Sequence, residues 1–377
     1  MIELKKKTKV KRLNLDYHKR LIFVSDIHGD ISSLKEGLEK INFNKDDYLF
    51  IIGDIIEKGD LGKNLETLRY VMELSKNNNV FPMSGNCDEV FRFMLPLDQK
   101  ENLLKYINEK DRSILRDIAL EKNISISYDM DVIAFKEMIV NDYPEFYEFM
   151  DSLDDLIIIN NQIVLVHGGI DDIDDIPEYA LPLLKYDNYY ELAKPQKYIT
   201  IVGHYPTRNY RKDISNCNPI FDFRKKIISI DGGNHLVKGG QLNFVILESL
   251  ASMSFRYTYT DHYPKFIMNE DVNYDKPSTL INLTYNDNEI EILDKDLDYY
   301  YVKHLRTNLK MWVDSSFVYK DDRTNKYYSY DASNQFLSVH KGDTISIVKR
   351  AKPYSVIKKD GIIGLIDTEY IEVKNDF

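Results

Sequence analysis

Several apolar runs in the sequence end in residues that bind metal ions. Those residues are carboxylates, imidazoles and one amide: Asp26, His28, Asp54, Asn86, His167 and His204. Carboxylate, imidazole and amide donors together suit Mn, Fe, Zn, Co or Ni better than Ca or Mg, which prefer oxygen alone. Two such ions held about 3.5–4 Å apart activate a water molecule near neutral pH and bind phosphoryl oxygens. The residue types therefore predict a site for two divalent transition-metal ions, with Mn expected first, that hydrolyses a phosphate ester.

Each motif is ordinary when it occurs alone, whereas their combination is not. Asp-x-His and Gly-Asp after a strand are common in turns. Here every motif follows an apolar run, in the order SDIHGD, GDIIEKGD, GNCDE, VLVHGGI and VGHYP. Because the ends of neighbouring strands meet at one edge of a sheet, where the loops begin, we interpret the motifs as parts of one site.

The elements that position these residues are alternating strands and helices. The apolar runs contain large or β-branched residues and are bounded by glycine, which is typical of buried strands. Two helical patterns, SSLKEGLEKI and KNLETLRYVMEL, lie between the early runs. This alternation predicts an α/β core. Residues 92–152, rich in Leu, Glu, Lys and Tyr at helical spacing, are predicted to form a helical insertion that caps or walls the site.

The pattern changes near residue 255, which divides the chain into domains. Residues 1–255 are predicted to form the catalytic domain and residues 256–278 a linker. In the tail, aromatic residues become dense and short alternating runs replace the helical patterns. Two stretches of the tail, 279–322 and 323–377, have similar patterns and resemble tandem bacterial SH3-like domains. Their equivalent residues are Ile290 and Ile345, Val302 and Val356, and Phe317 and Tyr370.

The composition excludes several classes of function. The chain has 377 residues, a net charge of −11 and a pI near 5.3, which argues against binding to nucleic acid or anionic lipid. The two cysteines, Cys87 and Cys217, give no disulfide framework. No stretch approaches the roughly 18–20 apolar residues of a membrane span. We therefore expect a cytoplasmic enzyme without a membrane or nucleic-acid partner.

The motifs together resemble the calcineurin-like metallophosphoesterase superfamily. Within it they are most similar to the branch of Ser/Thr phosphoprotein phosphatases and symmetrical diadenosine tetraphosphatases. In that branch's order, the sequence has SDIHGD, GDIIEKGD, GNCDE, VLVHGGI, VGHYP and IDGG. The resemblance covers residues 20–250 and implies a fold of two mixed sheets sandwiched between helices. The small all-β tail would follow this α/β domain.

The resemblance also implies a role for each candidate ligand. Asp26 and His28 would bind the first metal ion, and Asp54 would bridge the two ions. The second ion would be bound by Asn86, His167 and His204. By the same resemblance, Asp54 and Asn86 are catalytic residues as well as ligands.

Several positions depart from the family's pattern. Cys87 stands where relatives have a histidine that protonates the leaving oxygen, and Glu57 stands where that histidine has an aspartate partner. Because a thiol with a pKa near 8.5 is a poorer proton donor than an imidazolium, acid assistance is expected to be weaker here. Lys58 replaces the usual phosphate-binding arginine and keeps the charge without the bidentate fork. Arg208, four residues after His204, is a further candidate for phosphate contact.

Three functions are consistent with these observations. The first is a phosphatase acting on a phosphomonoester, either a phosphoprotein or a small molecule. The second is a nucleotide hydrolase or phosphodiesterase on the same site, which Cys87 favours because activated leaving groups need less acid help. The third is a binding protein that acts through its SH3-like tail, which the presence of all six ligands disfavours. We expect a phosphorylated protein or nucleotide as substrate, and a peptide or protein as a ligand of the tail.

Overall fold

The chain forms two compact units. The computed structural model describes residues 6–94, 100–275, 279–296 and 298–372. Unit 1 comprises the chain up to Tyr205, with 219–235 and 242–260. Unit 2 comprises 206–218, 236–241 and the chain from Asp261 onward. Within the described residues, no helix is both long and apolar enough to cross a membrane.

Unit 1 contains alternating strands and helices, as the sequence predicted. Its strands are β1 (Val10–Leu13), β2 (Leu21–Val24), β3 (Tyr48–Ile52), β4 (Val80–Met83), β5 (Leu156–Ile159), β6 (Ile163–Val166), β7 (Ile199–Val202), β8 (Ile220–Asp222), β9 (Ile227–Ser229), β10 (Leu242–Leu247) and β11 (Phe255–Thr260). Its helices are α1 (Ile31–Lys40), α2 (Lys63–Leu74), α3 (Val90–Met94), α4 (Lys100–Glu109), α5 (Ile114–Glu121), α6 (Val132–Asp142), α7 (Pro144–Ser152), α8 (Leu181–Leu184) and α9 (Tyr189–Leu192).

The strands of unit 1 form two mixed sheets. The first has the order β11-β10-β2-β3-β4, in which β2, β3 and β4 are parallel. The second has the order β1-β5-β6-β7-β9-β8, in which β6, β7 and β9 are parallel. In both sheets the other neighbouring strands include antiparallel pairs, so neither sheet is purely parallel.

Apolar side chains of the two sheets pack against each other. Alternate residues of a strand point to opposite faces of its sheet. Phe23 and Phe50 of the first sheet therefore join Ile157 and Leu165 of the second in one buried cluster. The opposite face of the first sheet packs against Leu34 of α1 and other helical residues. The opposite face of the second packs against α8 and α9. The predicted fold of two mixed sheets flanked by helices is confirmed.

The segment 92–152, predicted to be a helical insertion, contains α4 to α7 among its described residues. The Ser113 hydroxyl accepts a hydrogen bond from the backbone of Arg116 at the start of α5, and Asp131 does the same for Ala134 in α6. Such caps satisfy donors that the first turn of a helix leaves unpaired. The apolar faces of these helices join the cluster that covers the first sheet, through Ile107, Ile118, Phe135 and Phe146.

Three adjacent parallel strands in each sheet, β2-β3-β4 and β6-β7-β9, end in the predicted motifs. In the first sheet, Asp26 follows β2, Asp54 follows β3 and Asn86 follows β4. In the second sheet, His167 follows β6 and His204 follows β7. Because the carboxyl ends of parallel strands lie at the same edge, the fold brings these motifs together.

Unit 2 is built from short antiparallel strands. They are β12 (Lys265–Ile267), β13 (Asn282–Leu283), β14 (Glu289–Asp296), β15 (Tyr299–His304), β16 (Lys310–Asp314), β17 (Val318–Asp321), β18 (Lys326–Ser329), β19 (Ala332–Ser333), β20 (Thr344–Lys349), β21 (Tyr354–Lys359) and β22 (Ile362–Asp367). Their sheets have the orders β12-β20-β21-β22, β13-β19 and β16-β15-β14-β18-β17. The segment predicted as a linker, 256–278, contributes residues to β11 of unit 1 and all of β12.

The tail contains two stretches with the same order of elements. In each, three antiparallel strands are followed by a 3-10 turn: β14 to β16 precede Ser315–Phe317, and β20 to β22 precede Thr368–Ile371. A β-bulge interrupts the first strand pair in both, between Ile292 and Asp294 and between Ile347 and Lys349. A closed barrel is not formed by the strands of the described tail. The two SH3-like domains stay a prediction.

Unit 2 also includes the segment 206–218, which precedes residue 255 in the sequence. Arg208 is only 1 % exposed, and its guanidinium pairs with Asp331 and donates to Asn282 at 2.7 Å. The backbone N–H of Cys217 donates to Gly361 at 2.9 Å. These contacts place the segment within the interior of unit 2.

A buried lysine holds a second early segment, 236–241, in unit 2. The Nζ atom of Lys358 donates to the carbonyls of Gly239 and Gly240 at 3.0 and 3.1 Å, and it lies 2.8 Å from Oδ2 of Asp261. A buried ammonium is tolerated only when it is paired and hydrogen-bonded, and these partners meet that requirement. Unit 2 is therefore assembled from three separate parts of the chain.

Candidate metal centre

The carboxylate of Asp54 is shared by two groups of potential ligands. Its Oδ1 is 3.3 Å from Nε2 of His167, and its Oδ2 is 3.7 Å from Nε2 of His28. One group consists of His28, Asp54 and Cys87. The other consists of Asp26, Asp54 and His167. Within each group the ligand atoms lie within 4.8 Å of one another. A carboxylate in this position is suited to bridge two ions.

Asn86 and His204 lie next to these groups. The Oδ1 atom of Asn86 is 3.3 Å from Nε2 of His167. The backbone N–H of His204 donates to Oδ2 of Asp26 at 3.0 Å, and its ring centroid is 5.3 Å from that of His167. The structure thus brings all six predicted ligand residues together.

The backbone is strained at four of these residues. Positive φ angles occur at Asp26 (+55°), His28 (+49°), Asp54 (+49°) and His204 (+66°). Residues other than glycine seldom adopt this region, and such strain clusters at functional sites. The loops after β2 and β3 hold each other in place, because Asp26 N–H donates to Gly53 at 3.1 Å and His28 N–H donates to Asp54 at 3.0 Å.

Two glycines allow the loops to approach the carboxylates closely. A Cβ at Gly85 would overlap the backbone nitrogen and the carboxylate of Asp54. A Cβ at Gly203 would overlap the hydroxyl of Ser25 and the carboxylate of Asp26. Each glycine immediately precedes a predicted ligand, so the absence of a side chain allows that ligand to reach the site.

Asp54 and His167 stabilise each other's charged forms. Although burial opposes ionisation, His167 and His28 hold the pKa of Asp54 well below its usual range. Burial also acts against His167, but Asp54 and Asp26 raise its pKa to about 10. Because a metal-binding imidazole is neutral, a cation bound by His167 would displace a proton from it. Metal binding is therefore expected to release a proton.

Two other imidazoles are neutral and available as donors. Burial and the charge of Lys58 lower the pKa of His28 to about 3, and burial and His167 lower that of His204 to about 4. The Nε2 atom of His28 is buried and has no hydrogen-bond partner among the described residues. Such an atom is costly unless something binds it. A divalent transition-metal ion fits this nitrogen beside two carboxylates, so the residues present fit the predicted metal pair.

Partners that sequence reasoning missed orient the ligands. Nδ1 of His167 donates to the carbonyl of Ile52 at 2.8 Å, which leaves Nε2 for the site. Nε2 of His204 is 2.9 Å from the carboxylate of Asp187, so Nδ1 is the ring nitrogen that could bind a metal ion. Such outer partners fix the orientation of metal-binding histidines. Asp88 accepts hydrogen bonds from the loops after β3 and β4. The position of Asp88 within the GNCDE motif could have indicated its role, whereas Asp187 lies in no motif.

Cys87 and Lys58 lie beside the shared carboxylate. The backbone N–H of Cys87 donates to Oδ1 of Asp54 at 2.8 Å, and its Sγ is 3.4 Å from Nδ2 of Asn86. Burial and the charge of Asp54 raise the pKa of the Cys87 thiol well above its usual range, so it is a weak acid. Burial opposes the charge of Lys58, but Cys87, Asp54 and Asp26 raise its pKa. A charged ammonium here supports the prediction that Lys58 contacts phosphate.

Glu57 contacts the helical insertion instead of Cys87. One carboxylate oxygen accepts from the Tyr106 hydroxyl of α4 and the other from the backbone N–H of Ile114 at 2.8 Å. The backbone N–H of Lys58 also donates to the insertion, at 2.7 Å from the carbonyl of Arg112. Burial raises the pKa of Glu57 to about 7. The prediction that Glu57 partners residue 87 receives no support, because both of its oxygens are already bonded.

The side chain of Arg208 bonds to residues of unit 2. Its Nε donates to Ser215, its second guanidinium nitrogen donates to Asn282, and the third pairs with Asp331. The side chain is 1 % exposed, which leaves no open guanidinium edge for a phosphate. The predicted phosphate contact of Arg208 therefore receives no support. Sequence spacing from His204 gave no sign of Asn282 and Asp331, because both are distant from Arg208 in the chain.

Comparison with known proteins shows the family of the chain. Residues 19–231 match the family described as calcineurin-like phosphoesterase, so the chain belongs to this family. The family is dinuclear metal-dependent. The two ligand groups that share Asp54 agree with that dependence. The predicted family is confirmed.

Three curated relatives match parts of the chain. Shewanella-like protein phosphatase 1 of Plasmodium berghei (strain Anka) is 26 % identical over 168 residues, 42 % of this chain and 41 % of that protein. The symmetrical bis(5'-nucleosyl)-tetraphosphatase of Wigglesworthia glossinidia brevipalpis is 34 % identical over 98 residues, 24 % of this chain and 34 % of that protein. Its counterpart from Buchnera aphidicola subsp. Baizongia pistaciae (strain Bp) is 42 % identical over 67 residues, which are 18 % of this chain and 23 % of that protein. The chain spans less than half the length of these relatives.

Two solved structures are also similar. A putative diadenosine tetraphosphatase aligns with a TM-score of 0.41 and 16 % identity, over 68 % of this chain and 99 % of that chain. A serine/threonine phosphatase from Saccharomyces cerevisiae, with similarity to human phosphatase PP5, aligns with a TM-score of 0.41 and 11 % identity. The alignment covers 69 % of this chain and 85 % of that chain.

Proposed function

We propose that the chain is a phosphatase that uses two divalent transition-metal ions, expected to be Mn, to hydrolyse a phosphomonoester. The observation that supports this most is the position of Asp54, which belongs to both groups of candidate ligands. Imidazole and amide donors beside carboxylates favour a transition metal over Ca or Mg. The proposed ligands are Asp26, His28, Asp54, Asn86, His167 and His204.

The residues around the metal ligands determine how the substrate is held. When bound, the ions supply an activated water and positive charge for the phosphoryl oxygens. Lys58 adds a further positive charge beside Cys87. Because burial raises the pKa of the Cys87 thiol, this residue is a weak proton donor to the leaving oxygen. Esters with good leaving groups are therefore expected to react faster than alkyl esters.

The proposed substrate is a phosphorylated protein or a small phosphomonoester. The relative named as a protein phosphatase aligns over 168 residues, a longer stretch than either tetraphosphatase. A nucleotide hydrolase is the second candidate, since the two tetraphosphatases align at higher identity, 34 % and 42 %.

A screen of the metal-free full chain with added Mn²⁺ tests this proposal. The substrates are 4-nitrophenyl phosphate, phosphopeptides and diadenosine tetraphosphate, each measured with and without a chelator. Mn-dependent release of phosphate from the first two is the expected result. Preferential cleavage of the dinucleotide would favour the nucleotide hydrolase. If no substrate were turned over, the phosphatase proposal would fail and a binding function of the tail would be preferred.

We also propose a cytoplasmic location and a peptide or protein ligand for the tail. The location rests on the small number of cysteines, two in 377 residues, which gives no disulfide framework of the kind that secreted proteins use. The tail proposal rests on its repeated order of strands, bulges and 3-10 turns.

A further inference from the structure

Asp231 is a buried carboxylate that the proposed mechanism does not use. It lies in the IDGG segment after β9 and is 0 % exposed. Its Oδ1 accepts a hydrogen bond from the backbone N–H of Gly233 at 2.7 Å. Its Oδ2 is buried and has no hydrogen-bond partner among the described residues. Such an oxygen is costly to bury unless a proton, a donor or a cation meets it.

The strand register places Asp231 beside a predicted ligand. Val202 of β7 pairs in parallel with Ser229 of β9, and the backbone N–H of Ile230 donates to Val202 at 2.9 Å. Two residues beyond this pair, β7 leads to His204 and β9 leads to Asp231. Both residues therefore leave the sheet at the same edge, where the candidate metal centre lies.

Charges of the candidate centre act on Asp231. Burial and the carboxylate of Asp26 raise the pKa of Asp231 well above its usual range, while the charges of Lys58 and His167 oppose this change. These three residues come from three other motifs, so Asp231 lies within electrostatic reach of several parts of the site. Two buried carboxylates that repel each other are stabilised by a cation nearby.

We propose that Asp231 is a further member of the metal centre, where its free Oδ2 and its negative charge help to hold a divalent cation. This inference rests on the proposed function. In the two parallel sets β2-β3-β4 and β6-β7-β9, every strand except β9 is followed by a predicted ligand, and β9 is followed by Asp231. Asp231 thus helps to hold the cation, while the reacting groups remain those described above.

Asp231→Asn tests this role, because it keeps an acceptor for Gly233 and removes the charge. Mn²⁺ alone is the probe, with its dissociation constant measured by calorimetry and Tm measured with Mn²⁺ and with chelator. We expect Mn²⁺ to bind about tenfold or more weakly, within the range of outer partners of metal ligands. The rise in Tm on adding Mn²⁺ should shrink. The Tm of the metal-free variant should equal or exceed that of the parent, because the repulsion with Asp26 is removed.

Two control variants separate the possible outcomes. Asp222→Asn changes a carboxylate of β8 opposite Ile227, at the other end of β9, and should leave Mn²⁺ affinity unchanged. Asp54→Asn tests the centre itself. Weak binding by Asp54→Asn with parental binding by Asp231→Asn would overturn this inference alone. Parental binding by both would overturn the proposed metal centre as well. If Asp231→Asn does not fold, the smaller Asp231→Ser is measured in the same way with the same criteria.

Discussion

The imidazole of His167 and the carboxylate of Asp54 meet although they follow strands of different sheets, with 3.3 Å between Nε2 and Oδ1. Asp54 follows β3 of the five-stranded sheet, and His167 follows β6 of the six-stranded sheet. The sheets are held face to face by an apolar cluster that includes Phe23 and Phe50. The geometry of the site therefore depends on the packing of this core as well as on the motifs.

Glu57 should make the stability of the protein depend on pH. Its pKa rises to about 7 on folding, chiefly through burial, so the folded state binds more protons than the unfolded state between about pH 4.5 and 7. Stability should then fall as pH rises through this window. Glu57→Gln should remove the contribution of Glu57 to that fall, to which Asp26 and Asp88 also contribute. Above pH 7 it should stabilise the protein by at most about 3 kcal/mol, at about 1.4 kcal/mol per pKa unit.

Chemical unfolding of both proteins at pH 5 and pH 8 measures this effect. Glu101→Gln, at an exposed position of α4, is the control and should keep the parental pH dependence. An equal change of stability with pH in the parent and in Glu57→Gln would contradict the assignment of Glu57.

Replacing Cys87 with histidine tests whether proton donation limits the reaction. Cys87→His should raise kcat/KM for an alkyl phosphate more than for 4-nitrophenyl phosphate, whose leaving group needs little acid help. A well-placed acid contributes about 10²–10⁴-fold. Here we expect a gain of about tenfold or less, because the oxygens of Glu57 are bonded to the insertion and Lys58 disfavours a second positive charge.

Steady-state kinetics at matched metal content give the answer for this substitution. Cys87→Ser is the control, since it removes the thiol without adding an imidazole. The same factor of change for both esters in Cys87→His would refute the missing-acid interpretation.

Arg208 should be important for stability and not for phosphate binding. Arg208→Met leaves the Asp331 carboxylate without its buried partner, which costs about 3–5 kcal/mol when such a pair is broken. Arg306→Met breaks a largely exposed pair with Asp287 and should cost about 1 kcal/mol or less. Denaturant unfolding compares the two. A KM effect in Arg208→Met without loss of stability would restore Arg208 as a substrate contact.

A chain that ends at residue 255 is expected to be much less stable than the full chain. It keeps the segment 206–218 but removes Asn282 and Asp331, the buried partners of Arg208. The segment would therefore lose the residues that bury and pair Arg208, and the truncation also removes most of β11. Thermal unfolding and solubility of the two proteins would show the difference. A soluble truncated chain with the parental Tm would show that the segment 206–218 does not need the rest of unit 2.

The strands and the clustering of the six candidate ligands were predictable because they are encoded locally. Each candidate ligand follows a short, glycine-bounded run of apolar residues that is typical of a buried strand, and parallel strands end at one edge of their sheet. Asp54 and His167 were therefore predicted to lie in one site without any knowledge of their contacts.

The partners of these residues were not predictable, because they depend on long-range packing. The hydrogen bond between Tyr106 and Glu57 joins residues 49 positions apart. Asp187 lies outside every motif, and Arg208 is drawn into unit 2 by residues of the tail. Residue types and spacing were enough to predict the candidate ligands, whereas the orientation of Glu57 and Arg208 required the folded structure.

The most direct test of the account is the metal content of Asp54→Asn, measured together with its activity. Because Asp54 belongs to both ligand groups, this substitution should weaken binding of both ions. We expect the parent to bind two Mn²⁺ ions per chain and the variant to bind less than one. Turnover of 4-nitrophenyl phosphate should fall by about three orders of magnitude or more. A folded Asp54→Asn protein that retains two ions, or that is metal-poor and still turns over at the parental rate, would contradict the shared role of Asp54.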